Sequence, residues 1–193
     1  TTDINVGGVT AMQSANIDSL RLDAADPITF NGAAASFQPL SAIARDGITV
    51  NANVTTLAGN LIMDANADND TDINDNLDIA DGRTLTSAGL LTLDATAGGI
   101  DAAGEVILNA KGDISINDSL AANGPVTITA DSDGSGQGVV TVATGTTLLS
   151  SGNPITIFGS NLVLNGSLNA GAGSVAIGRS NAGTITVGVG GQG

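Results

Sequence analysis

The chain contains neither cysteine nor histidine. Without cysteine it forms no disulfide bond and offers no thiolate nucleophile. Without either residue it has no Cys/His zinc site, and a serine–histidine catalytic pair is excluded as well.

Aromatic residues are also scarce, with three phenylalanines and no tryptophan or tyrosine among 193 residues. A globular core of this size normally uses aromatic rings to fill irregular space. A core of Val, Ile, Leu and Ala alone suits a narrow interior built of regular layers. The 27 glycines, together with many Asn and Asp residues, supply turn positions with positive φ.

Positive charge is scarce, since five Lys and Arg residues stand against 19 Asp and Glu residues and the formal net charge is −14. Binding to phosphate backbones or anionic membrane surfaces needs basic residues, so we expect no nucleic-acid or membrane partner. No apolar run approaches the ~20 residues that span a bilayer, which predicts no membrane insertion. The acidity favours solubility and the binding of cations.

A short phrase recurs along the chain: an aliphatic residue, a usually small or polar residue, a second aliphatic residue, and then a polar or Gly-rich turn. Period-two alternation bounded by Asn, Asp or Gly predicts a very short half-buried strand, with its outer residues inward and its middle residue outward. Many such strands in series predict an all-β chain, a parallel β-solenoid with variable turns. The clearest phrases are Ile48–Val50, Leu91–Leu93, Ile114–Ile116, Val126–Ile128, Val140–Val142, Ile155–Ile157, Leu162–Leu164, Val175–Ile177 and Ile185–Val187.

From about residue 46 the phrases fall into two alternating series, which predicts two main strands per coil and a weaker third strand. The first series comprises Leu61–Met63, Leu91–Leu93, Val106–Leu108, Val126–Ile128, Ile155–Ile157 and Val175–Ile177. The second comprises Ile48–Val50, Leu77–Ile79, Ile114–Ile116, Val140–Val142, Leu162–Leu164 and Ile185–Val187. The third strand is expected at Thr84–Thr86, Ile100–Ala102, Thr147–Leu149 and Ser167–Asn169. At a rise of ~4.8 Å per coil, about seven to nine coils form a rod ~35–45 Å long.

The predicted organisation has three parts. Residues 1–46 are irregular first coils with a cap or interface segment, and a loop or short helix is expected at Phe37–Arg45, which does not alternate. Residues 47–187 are the regular coils, and residues 188–193 are a Gly-rich tail or a continuation of the rod. The chain begins Thr1-Thr2-Asp3 and shows no cap in residues 175–193. We therefore interpret it as a processed chain or a segment of a longer rod, or as a rod whose end another molecule covers.

One Asp-rich stretch is a candidate calcium site, because Ca²⁺ takes six to eight oxygen ligands and alternating Asp and Asn residues supply them in EF-hand loops. The match is partial, since Asn69 replaces the loop glycine and the twelfth residue is Asp75 instead of Glu. The alternative is a solvated insertion at the corner of a coil, and the chain gives no sign of another cofactor. A weaker candidate lies at Asp131–Gly136. The candidate ligands of the main site are Asp64, Asn66, Asp68, Asp70, Asp72 and Asp75.

The residues expected to point outward bear on two other functions, ice binding and polysaccharide cleavage. An ice-binding solenoid would need a regular threonine face, but each strand is expected to offer one outward threonine and the columns are interrupted, as at Ile107 and Asp78. A polysaccharide-active β-helix enzyme would need clustered carboxylates with a base and aromatic platforms. The cations are scattered and aromatic residues are few, so we expect no enzyme.

The stretch Leu90–Asp131 resembles the repeat region of filamentous haemagglutinin-type exoproteins, which are large secreted bacterial β-helix adhesins. The family's cadence, GxITLxAxGDIxINGxLxAxGG, is matched by Glu105–Gly124 and loosely by Asn153–Gly173, and the resemblance covers roughly residues 46–187. It implies a right-handed parallel β-helix, an extracellular or cell-surface location, and a role as a stalk or adhesin.

The sequence therefore predicts a non-catalytic extracellular structural or adhesive rod, a segment of a bacterial surface or secreted β-helix protein. The alternatives are a subunit of a head-to-tail filament, a polysaccharide-active enzyme and an ice-binding solenoid. The expected partners are a host or neighbouring-cell surface, a matrix polysaccharide or copies of the chain itself.

Overall fold

The computed structural model describes residues 3–71, 74–185 and 187–188, and it shows the chain wound into a parallel β-solenoid of about eight turns. After the first turn, successive strands belong in rotation to three sheets, so each strand pairs in parallel with the strands three positions before and after it. The predicted fold class, an all-β parallel solenoid with short strands and variable turns, is confirmed.

Sheet A comprises β1 (Ile4–Gly7), β3 (Ile28–Asn31), β6 (Ile48–Val50), β9 (Asn76–Ile79), β12 (Gly99–Ala102), β15 (Leu120–Ala122), β18 (Thr147–Leu149) and β21 (Ser167–Asn169). Sheet B comprises β2 (Leu20–Ala24), β5 (Leu40–Ala44), β8 (Leu61–Asp64), β11 (Leu91–Asp94), β14 (Ile114–Ile116), β17 (Val139–Val142), β20 (Asn161–Leu164) and β23 (Val187–Gly188). Sheet C comprises β4 (Ala35–Phe37), β7 (Val54–Thr56), β10 (Arg83–Ser87), β13 (Val106–Ala110), β16 (Val126–Thr129), β19 (Ile155–Gly159) and β22 (Val175–Arg179).

The core follows directly from the repeated phrase. In β11 the side chains of Leu91 and Leu93 are fully buried, whereas Thr92 between them is only half-buried. The same alternation in all three sheets produces one continuous core of Val, Ile, Leu and Ala. Aromatic rings enter this core near its first turns, where Phe30 and Phe37 pack edge to face with their centroids 6.5 Å apart.

The two predicted strand series do not correspond to two sheets. Leu61–Met63 and Leu91–Leu93 lie in sheet B, whereas Val106–Leu108 and Val126–Ile128 of the same series lie in sheet C. The three-residue phrase is alike in all sheets, so it predicts a strand without assigning the sheet. The expected third strands are present, as β10, β12, β18 and β21.

Residues 37–45 also differ from expectation, because Leu40–Ala44 is strand β5 and neither a loop nor a helix. Its inward residues after Leu40 are the small Ala42 and Ala44, while Ile43 points outward. Because small residues point inward and a large aliphatic residue points outward, the hydrophobicity of the sequence does not show the alternation of inward and outward positions.

A single turn of helix, α1 (Ala11–Ser14), contacts β4 beside the first coils. It begins with a capping box, in which Thr10 Oγ1 accepts the N–H of Gln13 at 3.3 Å and Gln13 Oε1 accepts the N–H of Thr10 at 2.8 Å. Among the described residues, no helix is long and apolar enough to cross a membrane.

The turns are unequal in length. Apart from the connection that contains α1, the two longest lie between β8 and β9 and between β16 and β17, and they contain most of the two stretches that the sequence singles out for calcium. Gly47, before β6, shows why glycine is required where coils meet. Its φ is +92°, and a Cβ there would lie 2.1 Å from the carbonyl oxygen of Asn74 in the long turn of the next coil.

Candidate functional site

The long turn between β8 and β9 separates the predicted calcium ligands into different environments. Asp64 ends β8 half-buried, and its Oδ1 accepts the N–H of Asn66 at 3.3 Å. Asp68 and Asp70 are exposed, whereas Asp75 is buried. Asp72 lies outside the described residues.

Asn66 is the best-placed of the predicted ligands. Its side chain is 1% exposed, and its Nδ2 donates to the main-chain oxygens of Asp70, at 3.0 Å, and of Thr96 in the next coil. Its Oδ1 is buried and accepts no hydrogen bond within the protein. A buried carbonyl oxygen without a donor fits a cation ligand or an ordered water.

The surrounding charge is strongly negative. Partial burial and then the carboxylates of Asp26, Asp68, Asp75 and Asp70 raise the pKa of Asp46, so acidic side chains from three coils share this corner. Among the described residues, however, no three acidic side chains are placed so that they could hold a metal ion together. The calcium site thus stays a prediction, with Asn66 and Asp75 as its buried members.

The weaker calcium candidate has another role in the structure. Asp131 is 1% exposed, and its Oδ1 accepts the Oγ–H of Ser135 at 2.9 Å and the N–H of Gly136 at 2.8 Å. Its Oδ2 accepts the hydroxyl of Ser180, 49 residues along the chain. Burial acts to raise the pKa of Asp131, but the hydrogen bonds from Ser180, Gly136 and Ser135 outweigh it and the pKa lies below its usual value. This carboxylate ties a long turn to a later coil, and protein donors occupy both its oxygens.

A second acidic group comprises Asp64, Asp94 and Asp118. These residues lie where strands of sheet B end, at the ends of β8 and β11 and just after β14. Burial and then the neighbouring Asp94 carboxylate raise the pKa of Asp64. The pKa of Asp118 is raised by burial and by a hydrogen-bonded contact with Asp94, against the lowering effect of the Ala95 N–H that it accepts at 3.0 Å. Asn117 relieves part of this crowding by donating to Asp94 Oδ2 at 2.8 Å.

An open groove of about 500 Å³ runs along the outside of sheet A, across β6, β9, β12, β15 and β18. One side of the groove is lined by outward residues of the strands and the other by residues one or two positions after the end of each strand. Parallel register stacks Thr49, Asp78, Asp101, Ala121 and Leu149 in one column along the axis. The second column comprises Asn51, Ala80, Ala103, Asn123 and Ser151.

Asp78 and Asp101 are neighbours at the centre of this groove. Burial and then the Asp101 carboxylate raise the pKa of Asp78. Asn76 donates from Nδ2 to Asp101 Oδ2 at 3.0 Å. Sequence reasoning missed this pair, because Asp78 and Asp101 are adjacent only once both are assigned to sheet A. An aspartate at the middle of two phrases one coil apart was the available signal.

The mid-strand outward positions of sheet C are uncharged and rich in hydroxyl groups. Contrary to the expectation of one outward threonine per strand, β10 presents Thr84 and Thr86, and β16 presents Thr127 and Thr129. Ile107 interrupts one column, and Phe158, whose ring covers Gly178, interrupts the other. The face is therefore hydroxyl-rich but irregular.

Comparisons of the chain with protein families, with curated proteins and with solved structures gave no significant match.

Proposed function

We propose that this chain is a non-catalytic, extracellular structural and adhesive rod, a segment of a bacterial surface or secreted β-helix protein. The observation that supports this most is the unbroken parallel register of the three sheets through about eight turns. Such a scaffold holds outward side chains in fixed columns at intervals of ~4.8 Å. The extracellular location rests on the resemblance of Leu90–Asp131 to filamentous haemagglutinin-type repeats.

The partners we propose are a host or neighbouring-cell surface, or a matrix polysaccharide. Outward residues in the strands are short and mostly polar, so each contact is weak. Many equal contacts in fixed positions gain strength together, because binding at one site raises the effective concentration at the next.

The test is retention under flow of beads that carry many copies of the chain. Surfaces coated with different polysaccharides and intact bacterial or host cells form the panel, and beads coated with heat-denatured chain are the control. Retention of native beads on at least one surface is expected. Equal retention of native and denatured beads on every surface would overturn the proposal.

A head-to-tail filament is favoured by apolar exposure in the last described coils. Val175 is 45% exposed and Ile177 is partly exposed, whereas Ile155 and Ile157, which pair with them in the preceding coil, are fully buried. A further coil would cover them, either from the same polypeptide or from a second copy stacked head to tail. Negatively stained images at high protein concentration test this alternative, and isolated short particles alone would reject it.

The paired carboxylates of Asp78 and Asp101 are the observation that favours a polysaccharide-active enzyme, since most glycoside hydrolases use two carboxyl groups. Incubation with a panel of polysaccharides tests this alternative. Reducing ends released by the wild type and not by Asp78→Asn would establish it over the non-catalytic rod.

The threonine pairs of β10 and β16 favour an ice-binding face. Growth of ice crystals in the presence of the chain tests it. Crystals with the same shape and growth rate as in a control protein solution would reject this alternative.

A further inference from the structure

The groove along sheet A carries uncompensated negative charge over an apolar floor. Its twelve lining residues include Asp78 and Asp101 but no Lys or Arg. Ala80, Ala103 and Ala121 are short apolar side chains that leave space beside the two carboxylates. Since adjacent strands lie ~4.8 Å apart, a cation between the strands can contact both carboxylates at once.

We propose that this groove binds a linear amino-sugar chain, which lies along the solenoid axis and places a protonated amine between Asp78 and Asp101. The proposal rests on the adhesive function above and specifies its polysaccharide partner. The chain itself has a net charge of −14, so an acidic polysaccharide would be repelled from this groove and an amine-bearing one attracted.

The shape of the groove favours a linear ligand over a compact one. It spans five coils in one direction and is only about two columns of side chains wide. Thr49 and Asn51 lie towards one end, and Asn123 and Ser151 towards the other. Hydroxyl and amide groups of this kind exchange hydrogen bonds with sugar hydroxyls on either side of the central amine.

The pairing of the strands favours a sugar chain over an extended peptide. The strands that form the groove pair on both sides with neighbouring strands of sheet A. Their main-chain groups are therefore used, and a peptide finds no free edge to extend by backbone hydrogen bonds. The groups that remain are side-chain carboxylates, amides and hydroxyls.

The test measures binding of a β-linked glucosamine oligomer to the full chain by calorimetry. The double variant Asp78→Asn/Asp101→Asn should bind at least about tenfold more weakly than the wild type. Asp18→Asn makes the same kind of charge change at an exposed position outside the groove and should bind like the wild type. Both variants alter exposed side chains, and melting temperatures no lower than that of the wild type would show that they are folded. The double variant should melt slightly higher near neutral pH, because the repulsion between Asp78 and Asp101 is removed.

Three further arms separate the amine and the sugar from other causes. Ala121→Arg places a guanidinium one strand from Asp101 and should also weaken binding. The N-acetylated oligomer should bind more weakly than the amine form. Raising NaCl from about 0.05 M to about 0.5 M should weaken binding, because exposed charges are screened.

The proposal is overturned if the glucosamine oligomer does not bind, if the Asp78→Asn/Asp101→Asn variant binds as well as the wild type, or if the acetylated oligomer binds equally. Equal or tighter binding of an oligolysine of the same length would show a peptide groove instead. Retention of beads on other surfaces with no oligomer binding would remove this assignment alone, whereas loss of all retention would remove the adhesive function.

Discussion

At the scale of single residues, position within the three-residue phrase decides what a side chain does. In most strands the inward residues are buried and aliphatic, and outward residues are free to be Thr, Asp, Ser or Ile without disturbing the core. Stability should therefore respond to inward substitutions and binding to outward ones.

Leu93→Ala tests this division, because it removes a fully buried side chain between neighbouring coils. We expect a loss of about 2–5 kcal/mol in the free energy of unfolding, from lost burial and the cavity left behind. Thr92→Ala, one position away on the outward side, should cost less than about 0.5 kcal/mol. Urea denaturation measures both, and equal losses would contradict the division.

Asp131 is an exception, a buried charged residue whose hydrogen bonds are expected to stabilise the fold. Asp131→Asn places a donor where Ser135, Gly136 and Ser180 already donate, and we expect a loss of about 1–3 kcal/mol near neutral pH. Asp133→Asn in the same turn changes the same charge at an exposed side chain and should have little effect. Since the folded-state pKa of Asp131 is lowered, its stabilisation is lost as pH falls through that value, and the two proteins should converge in acid.

At the scale of elements, strands are well predicted from the sequence and their assignment to sheets is not. Ile114–Ile116 and Val126–Ile128 follow the same pattern, yet one lies in sheet B and the other in sheet C. Sheet identity depends on turn lengths, which vary because a corner accepts extra residues without breaking register. The groove pair Asp78 and Asp101 could not be predicted for this reason.

The acidic group at the ends of the sheet B strands predicts a stabilising substitution. Asp118→Asn keeps an oxygen for the Ala95 N–H and replaces a carboxyl contact with Asp94 by an amide that donates to it. We expect a gain of about 0.5–1 kcal/mol at neutral pH, which shrinks in acid as Asp118 of the wild type becomes protonated. Asp113→Asn, whose carboxylate accepts the Val139 N–H at 2.8 Å, is the control and should give no gain. A destabilised Asp118→Asn protein would show that the contact with Asp94 is not repulsive.

The turn between β8 and β9 gives the prediction for calcium. If Asn66 Oδ1 and the surrounding carboxylates bind Ca²⁺, the melting temperature should rise with calcium and fall with a chelator, by mass action on the folded state. The variant Asp68→Asn/Asp70→Asn should reduce the shift, and Asp18→Asn should preserve it. A melting temperature that is the same with calcium and with chelator would reject the site.

At the scale of the whole molecule, charge is distributed unevenly along the rod. All 19 acidic residues lie between Asp3 and Asp133, and residues 134–193 carry Arg179 as their single charged side chain. The early coils of two copies therefore repel each other, while the later coils do not.

The pKa values of the acidic residues predict that the protein is more stable at a mildly acidic pH than at neutral pH. Asp64, Asp78 and Asp118 have raised pKa values in the folded state, so their ionisation destabilises the fold, and that penalty is relieved as pH falls through those values. Asp131 acts in the opposite sense at lower pH. The melting temperature should rise as pH falls from neutral through these raised pKa values, which lie above the ordinary value of about 3.9 for aspartate, and should fall again in stronger acid as Asp131 becomes protonated. A steady fall from neutral pH downward would contradict these directions.

If the rod is adhesive as we propose, its uniform core holds weak outward contacts in fixed columns, and adhesion should come from their number. The most direct measurement is bead retention under flow as a function of copies per bead, on a surface that retains the native chain. We expect negligible retention at low copy number and a steep, more than proportional rise with density. Retention that grows in simple proportion to copy number would contradict it, because each copy would then bind alone.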